Sequence, residues 1–435
     1  MKFLCLLLFA FSSLVYADEA RDQDIFASAP APKKDEPSIK DNLTLGGRLS
    51  IDTVGAILEN STVGEALYEY DTTLYTYLDA RPNEETRGFV RMRTIHPDPT
   101  LAEDLADAAG PRFDFDEIWI KIAGWDKRVY VTLGRQHVKW GTGRLWNPSD
   151  VLAPSVIDPL ASYDYRLGTN LFKFHYPWEK EGANFYAIID VDSLGIYKKP
   201  GAALRVELLV HRAELSATAY GREGKAAILA SDVSMGLGPV DVYAEFVMST
   251  NQKMTFYREG PADLRPLQTY SRKKQWIPQL VAGVKYPLQY AEQKHLDIGL
   301  EYFYNGIGYN NRTLELASLV TGQSVPLYAG RQYFGILLGL PSPGKLQDTS
   351  FYVSNLYNIS DRSGLSRLSS QTKFFKEALL ELWASASYGS KGEFRFEAPS
   401  DSPGPGDTPA GETLSATLIA SGISRAIGAS VSINF

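Results

Sequence analysis

Residues 204–211 read LRVELLVH. Leu204, Val206, Leu208 and Val210 fall on one side of an extended chain and Arg205, Glu207 and His211 on the other, because successive side chains of a strand point to opposite faces. One face suits hydrocarbon and the other suits water. The same division recurs where Ile118, Ile120 and Ile122 alternate with Glu117, Trp119 and Lys121, and where Leu296, Ile298 and Leu300 alternate with His295, Asp297 and Glu301. Val90 and Met92 interleave with Arg91 and Arg93 in the same way. From Leu43 onward such segments, about ten residues each, follow one another between turn residues, and no long amphipathic helix interrupts them.

Composition narrows what these strands build. A chain that is 44% hydrophobic and 22% charged can bury a core, which argues against disorder. A spanning helix needs about 20 apolar residues, and the longest nearly uninterrupted apolar run is Phe3 to Tyr16. That run follows Lys2 and ends in Val15-Tyr16-Ala17, the small-x-small pattern of a signal-peptidase site, so residues 1–17 read as a cleaved signal peptide. The single Cys, Cys5, leaves with it, which excludes a disulfide framework, a Cys-ligated metal and a Cys nucleophile. Residues 18–42, rich in Pro, Ala, Lys and Asp, read as a flexible periplasmic leader. A formal charge of -7 does not suit a nucleic-acid binder, which needs a basic stripe.

The connections decide between a soluble sandwich and a membrane barrel. Short turns near Pro82-Asn83, Trp125-Asp126-Lys127, Arg212-Ala213, Gly236-Leu237-Gly238, Pro341 to Leu346 and Lys376-Glu377 fall between long segments at 97–111, 140–168, 251–274, 306–330 and 391–412. Outer-membrane barrels show this asymmetry, with short periplasmic turns and long extracellular loops. In hydrocarbon every unpaired backbone group costs several kcal/mol, so a spanning sheet has to close on itself. The fold predicted for residues 43–435 is therefore all-β: a transmembrane antiparallel up-and-down β-barrel of 18 strands, with 16 as the alternative count, wide enough for an aqueous lumen. An even count puts both termini on the periplasmic side. Tyr75, Tyr77, Tyr176, Trp178, Trp276, Tyr302, Phe303, Tyr304 and Tyr352 fall near predicted strand ends and read as an interfacial aromatic belt.

Two stretches resemble known families. The terminal Ala-Ser-Val-Ser-Ile-Asn-Phe435 resembles the closing strand of bacterial outer-membrane proteins, which implies recognition by the barrel-assembly machinery through Phe435. Leu133 to Pro154, LGRQHVKWGTGRLWNPSDVLAP, resembles the alginate-export-type porin family and related bacterial outer-membrane channels through Gly134, Arg135, Gln136, Trp140, Gly141, Gly143, Arg144 and Leu145. The following Trp146-Asn147-Pro148-x-Asp150 is more similar to other large porin families of that kind. The resemblance implies a channel in the outer membrane of a Gram-negative-type cell, in contact with outer-membrane lipid and lipopolysaccharide, passing small-molecule solutes. It leaves monomer and homotrimer open.

The expected site is the lumen. The loop 140–168 holds Arg144, Asn147, Asp150, Asp158, Asp164 and Arg166, and a loop this long is usually functional or disordered. The reading is that it folds inward and helps form a constriction in which Arg135, Arg144 and Arg166 offer guanidinium forks to anionic or hydroxyl-rich solutes. The alternative is that Arg135, Arg144 and Asp150 only pin the loop to the wall. The further pore-lining candidates are Arg87, Arg91, Arg93, Glu117, Lys121, Gln136, Arg205 and Glu207, with Lys173, Asp241, Glu245, Asp297 and Glu301 on the same predicted face. Three arginines on one strand face repel unless carboxylates such as Asp116 and Glu117 neutralise them. None of the five histidines lies in an HExxH pattern and no GxSxG occurs, so neither catalysis nor a metal or cofactor is expected. The competing functions are a plugged barrel whose loops bind partners and an outer-membrane hydrolase.

Overall fold

The computed structural model describes residues 42–58, 67–96, 111–153, 159–160, 166–192, 199–250, 254–259, 267–292, 294–375, 377–395 and 423–435. The expected signal segment and the leader up to Asp41 lie outside these residues, as do Asp158 and Asp164.

The strands are β1 (Leu43–Leu58), β2 (Leu67–Asn83), β3 (Thr86–His96), β4 (Arg112–Gly124), β5 (Val129–Gln136), β6 (Thr169–Trp178), β7 (Ala183–Asp190), β8 (Gly201–Val210), β9 (Ala213–Arg222), β10 (Ala227–Leu237) and β11 (Val240–Thr250). A separate hairpin, β12 (Phe256–Arg258) and β13 (Gln268–Tyr270), precedes β14 (Ile277–Ala291), β15 (Lys294–Asn305), β16 (Gln332–Pro341), β17 (Thr349–Asn358), β18 (Ser363–Phe374), β19 (Ala378–Gly389) and β20 (Ile423–Asn434). All but the hairpin join in one 18-stranded antiparallel sheet. β1 pairs with both β2 and β20, with Ile51 opposite Val431, so the sheet closes and no edge remains. The count of 18 replaces the alternative of 16.

Register separates the two faces. Ile118, Ile120, Ile122, Leu204, Leu208, Phe246, Leu368, Ile427 and Val431 are exposed on the outer face. Arg91, Glu117, Arg205, Glu245, Glu301 and Glu381 are buried on the inner one. A side chain directly opposite another across two strands shares its face, which carries this division around the barrel.

β5 stops at Gln136, where the backbone N–H of His137 turns inward to the Glu117 carboxylate at 3.1 Å. Two details depart from the sequence reading. The segment 306–330, read as loop, holds the helix α1 (Arg312–Val320), capped by the Asn311 side chain on the N–H groups of Thr313 and Leu314. The expected belt is split. Tyr176, Trp178, Tyr302 and Tyr304 share the outer face, whereas Tyr75 opposes Arg93, Phe303 opposes Tyr333 and Tyr352 opposes Ser369 on the inner face. Strand-end position alone does not tell the two faces apart; parity does.

Candidate functional site

The inner loop begins where β5 ends. Its root, Trp140 and Leu152, packs on Leu171, Ile188, Ala203 and Tyr220 of the β6 to β9 wall. From there the chain runs inside the barrel to β11 and β15. Glu245 of β11 accepts the backbone N–H of Thr142 at 2.6 Å and of Ser149 at 3.2 Å, the N–H of Gly143, and the Ser149 hydroxyl at 2.7 Å. Glu301 of β15 accepts three successive N–H groups, from Arg144 at 2.8 Å, Leu145 at 3.0 Å and Trp146 at 2.8 Å, and the Tyr243 hydroxyl at 2.7 Å. Loop amides that water cannot reach need acceptors, and two carboxylates supply them with charge-assisted bonds.

The loop tip is apolar. Leu145 and Trp146 are fully buried against Val281, Phe303, Tyr333, Leu356 and Leu365 of the inner wall, with Leu327 and Phe394 from other loops. The Trp146 ring lies 5.8 Å from Phe303 and 5.4 Å from Tyr333, and its indole N–H donates to the Leu327 carbonyl at 3.1 Å. Gly335 makes the room: a Cβ there falls 2.0 Å from the Leu145 side chain and 3.1 Å from Trp146. Gly141 sits at φ +90 in a cradle where a Cβ meets the Asn147, Ser149 and Glu245 side chains within 2.6 Å.

Within the loop, Arg166 pairs with Asp150 at 2.9 Å, and Asp150 also accepts the Trp140 N–H at 3.0 Å; both side chains are buried. Arg144 differs from them. It is exposed, and its guanidinium lies 5.8 Å from the Tyr243 ring, while only its backbone joins the Glu301 anchor.

No protein-family model matches the chain, and no curated protein does. Solved structures do. OccK2 (OpdF) of Pseudomonas aeruginosa aligns over 91% of this chain and 98% of its own at 9% identity, with a TM-score of 0.52. The fold is that of an outer-membrane porin-type β-barrel. OprB of Pseudomonas putida aligns over 91% of this chain and 95% of its own at 10% identity and TM-score 0.48. A mutant Rhodopseudomonas blastica porin aligns over 90% and 100% at 10% identity and TM-score 0.43.

In this porin-type barrel the arginine strand β3 is neutralised locally. A β-bulge at Asp116 turns two successive carboxylates toward Arg91, which meets Asp116 at 2.7 Å and Glu117 at 3.0 Å. Arg93 approaches Asp114 at 3.6 Å, and Arg87 pairs with Asp79 at 3.0 Å. Arg205 is buried between Glu207 at 2.7 Å and Asp232 at 2.9 Å and lies 5.4 Å from the Trp140 ring. Lys121 lies over Tyr130 at 4.6 Å, and Gln136 is buried, its amide 3.4 Å from the Gly134 carbonyl.

Arg135 departs from expectation. It stands opposite Ile118, on the outer face, where its guanidinium donates to the Phe115 carbonyl at 3.0 Å. Placing it in the constriction takes the Gly134-Arg135-Gln136 motif as a unit, but adjacent strand residues point to opposite sides. The anchoring role of Glu245 and Glu301 was not evident in the sequence, where both read only as lumen charges. A missed signal was available: a loop rich in buried N–H groups needs acceptors, and acidic residues inside a barrel are the ready source.

Proposed function

We propose that this protein is an outer-membrane channel through which small hydrophilic solutes diffuse, narrowed by the loop 140–168, with both termini periplasmic. The observation that carries this reading is the loop itself, anchored inside the barrel by Glu245 and Glu301. A loop fixed there narrows a lumen that 18 strands leave wide. The arginines of β3 already have carboxylate partners, so Arg144, exposed on the anchored loop, is the residue proposed to favour anionic or hydroxyl-rich solutes. Phe435 is proposed as the assembly signal and outer-membrane lipid, including lipopolysaccharide, as the surroundings of the apolar outer face.

The apolar cluster around Trp146 favours a second reading, a plugged barrel whose loops bind partners. Liposome swelling separates the two. A channel admits sugars, amino acids and organic acids at rates that fall with solute size, whereas a filled barrel admits none.

A further inference from the structure

On the outer face of the barrel, β9 lies in a trough. Ala219 of β9 stands opposite Leu204 of β8 on one side and Leu229 of β10 on the other, so a short side chain is set between two long ones. Both leucines are exposed. Gly221 continues the floor, and a Cβ built there meets no atom within 4 Å. Ala227 opposes Thr250, and Ser249 opposes Ile277, so that Trp276, the residue before Ile277, supplies the wall on the β14 side. Together these residues line a cavity of about 230 Å³.

The cavity lies near one end of the barrel. Gly201 begins β8, Arg222 ends β9 and Ala227 begins β10, which is the end that carries the long connections 191–200 and 251–276. In the orientation proposed above, this end meets the leaflet that faces out of the cell.

Charge sits directly beyond it. Ser271-Arg272-Lys273-Lys274 precedes Trp276, and the Thr250 hydroxyl donates to the Lys273 carbonyl at 3.4 Å, which ties that basic run to the end of β11. Lys273 and Lys274 are exposed, and among the described residues neither meets a carboxylate. Glu223, the acid of the β9–β10 turn, is paired with Lys199, and Lys225 follows it.

An apolar furrow by itself accepts any chain of the bilayer. Two lysines without carboxylate partners at its head add an electrostatic demand, a phosphate held close above the chain. Tryptophan settles at the headgroup level, so Trp276 marks the depth at which hydrocarbon gives way to phosphate. An outward leaflet supplies that combination as lipopolysaccharide, whose acyl chains and phosphates share one sugar base.

We infer that this cavity seats one acyl chain of lipopolysaccharide, with a lipid A phosphate on Lys273 and Lys274. The inference rests on the outward placement of the long connections, not on conduction, and it adds a defined lipid site to the apolar outer face.

The test is native mass spectrometry of the full chain in detergent, titrated with bisphosphorylated, hexa-acylated lipid A. Saturable binding is expected. The Lys273→Ala, Lys274→Ala double variant is expected to raise the half-saturating concentration about thirtyfold, because each lysine beside a lipid phosphate contributes about fivefold. Ala219→Phe, which fills the cavity from its floor, is expected to raise it about tenfold, whereas Leu368→Phe, on the outer face of β18, leaves it unchanged. Both phenylalanine variants keep the outer face apolar and the inner face untouched. Dephosphorylated lipid A is expected to bind the native chain and the lysine variant equally weakly. Labelling of Lys274→Cys from outside intact cells reads the orientation separately, and a cysteine reached only from the periplasm defeats the outward placement whatever the lipid binding shows. Absence of saturable lipid A binding, binding that either the lysine variant or Ala219→Phe leaves unweakened, or phosphatidylglycerol bound as tightly as lipid A, overturns the site.

Discussion

The carboxylate of Glu301 and the backbone amide of Trp146 lie 2.8 Å apart although 155 residues separate them in the chain. β15 is the thirteenth strand of the 18-stranded ring and the loop leaves from the fifth, so this bond joins nearly opposite parts of the wall. Everything inside the barrel follows from how firmly that crossing is held.

Removing the acceptor exposes this directly. Glu301→Ala leaves the N–H groups of Arg144, Leu145 and Trp146 without their partner, at about 1–3 kcal/mol for each group that stays buried. The loop is expected to leave the wall, which costs less. Limited proteolysis of the folded barrel is then expected to cut within 140–153, where the native protein resists.

The apolar half of the anchor gives an independent handle. Trp146 is fully buried, and Trp146→Ala is expected to cost about 3–5 kcal/mol in loop docking through lost burial and the cavity left behind. Gly335→Leu, which fills the same space from the wall side, is expected to release the tip as well. Hydrogen exchange of residues 140–153 reads both, and protection equal to that of the native protein contradicts the packing described.

A third group of contacts makes the segment that holds α1 sensitive to pH. Glu393 accepts the N–H of Leu327 at 2.8 Å and the Tyr333 hydroxyl at 2.7 Å, and Asn358 bridges it to Glu315 of α1. Burial, and then the neighbouring Asp361, push the Glu393 carboxyl up to about 7; burial, Glu393 and Asp361 push Glu315 up to about 10. Both folded values exceed the ordinary 4.5, so the folded state holds protons that the unfolded one releases. Their stabilisation is complete below about pH 4.5 and declines as the pH rises through about 7 and then about 10. Hydrogen-exchange protection factors in 312–331, corrected for intrinsic exchange, are therefore expected to fall from pH 5 to pH 8, and Glu393→Gln to flatten that change.

Inside the wall, Arg205 depends on Asp232. Both are buried, and Asp232→Ala leaves Glu207 as the guanidinium's carboxylate neighbour, at an expected cost of up to about 3–5 kcal/mol in urea unfolding from lipid. The same substitution loosens the Ser216 hydroxyl, which also donates to Asp232.

Much of the architecture is legible in the alternation. Every predicted strand has its counterpart, because a half-lipid, half-water environment imprints period two on each segment. The site is less legible. Arg91, Glu117, Arg205 and Glu207 share the inner face by parity, which the sequence carries. Their pairing depends on the bulge at Asp116 and on cross-strand register, which it does not. Arg135 shows how a motif read as a unit hides the alternation within it. The loop anchors at Glu245 and Glu301 lie more than 90 residues from the amides they hold, and no local pattern records such contacts.

The central claim, that two wall carboxylates hold a loop which narrows a conducting lumen, is tested most directly by single-channel recording of the native protein beside a Glu245→Ala, Glu301→Ala double variant. Discrete current steps are predicted for the native protein, and larger, noisier steps for the variant, with the barrel intact in both. A native barrel that passes no current, or a folded double variant whose steps match the native size, contradicts the account.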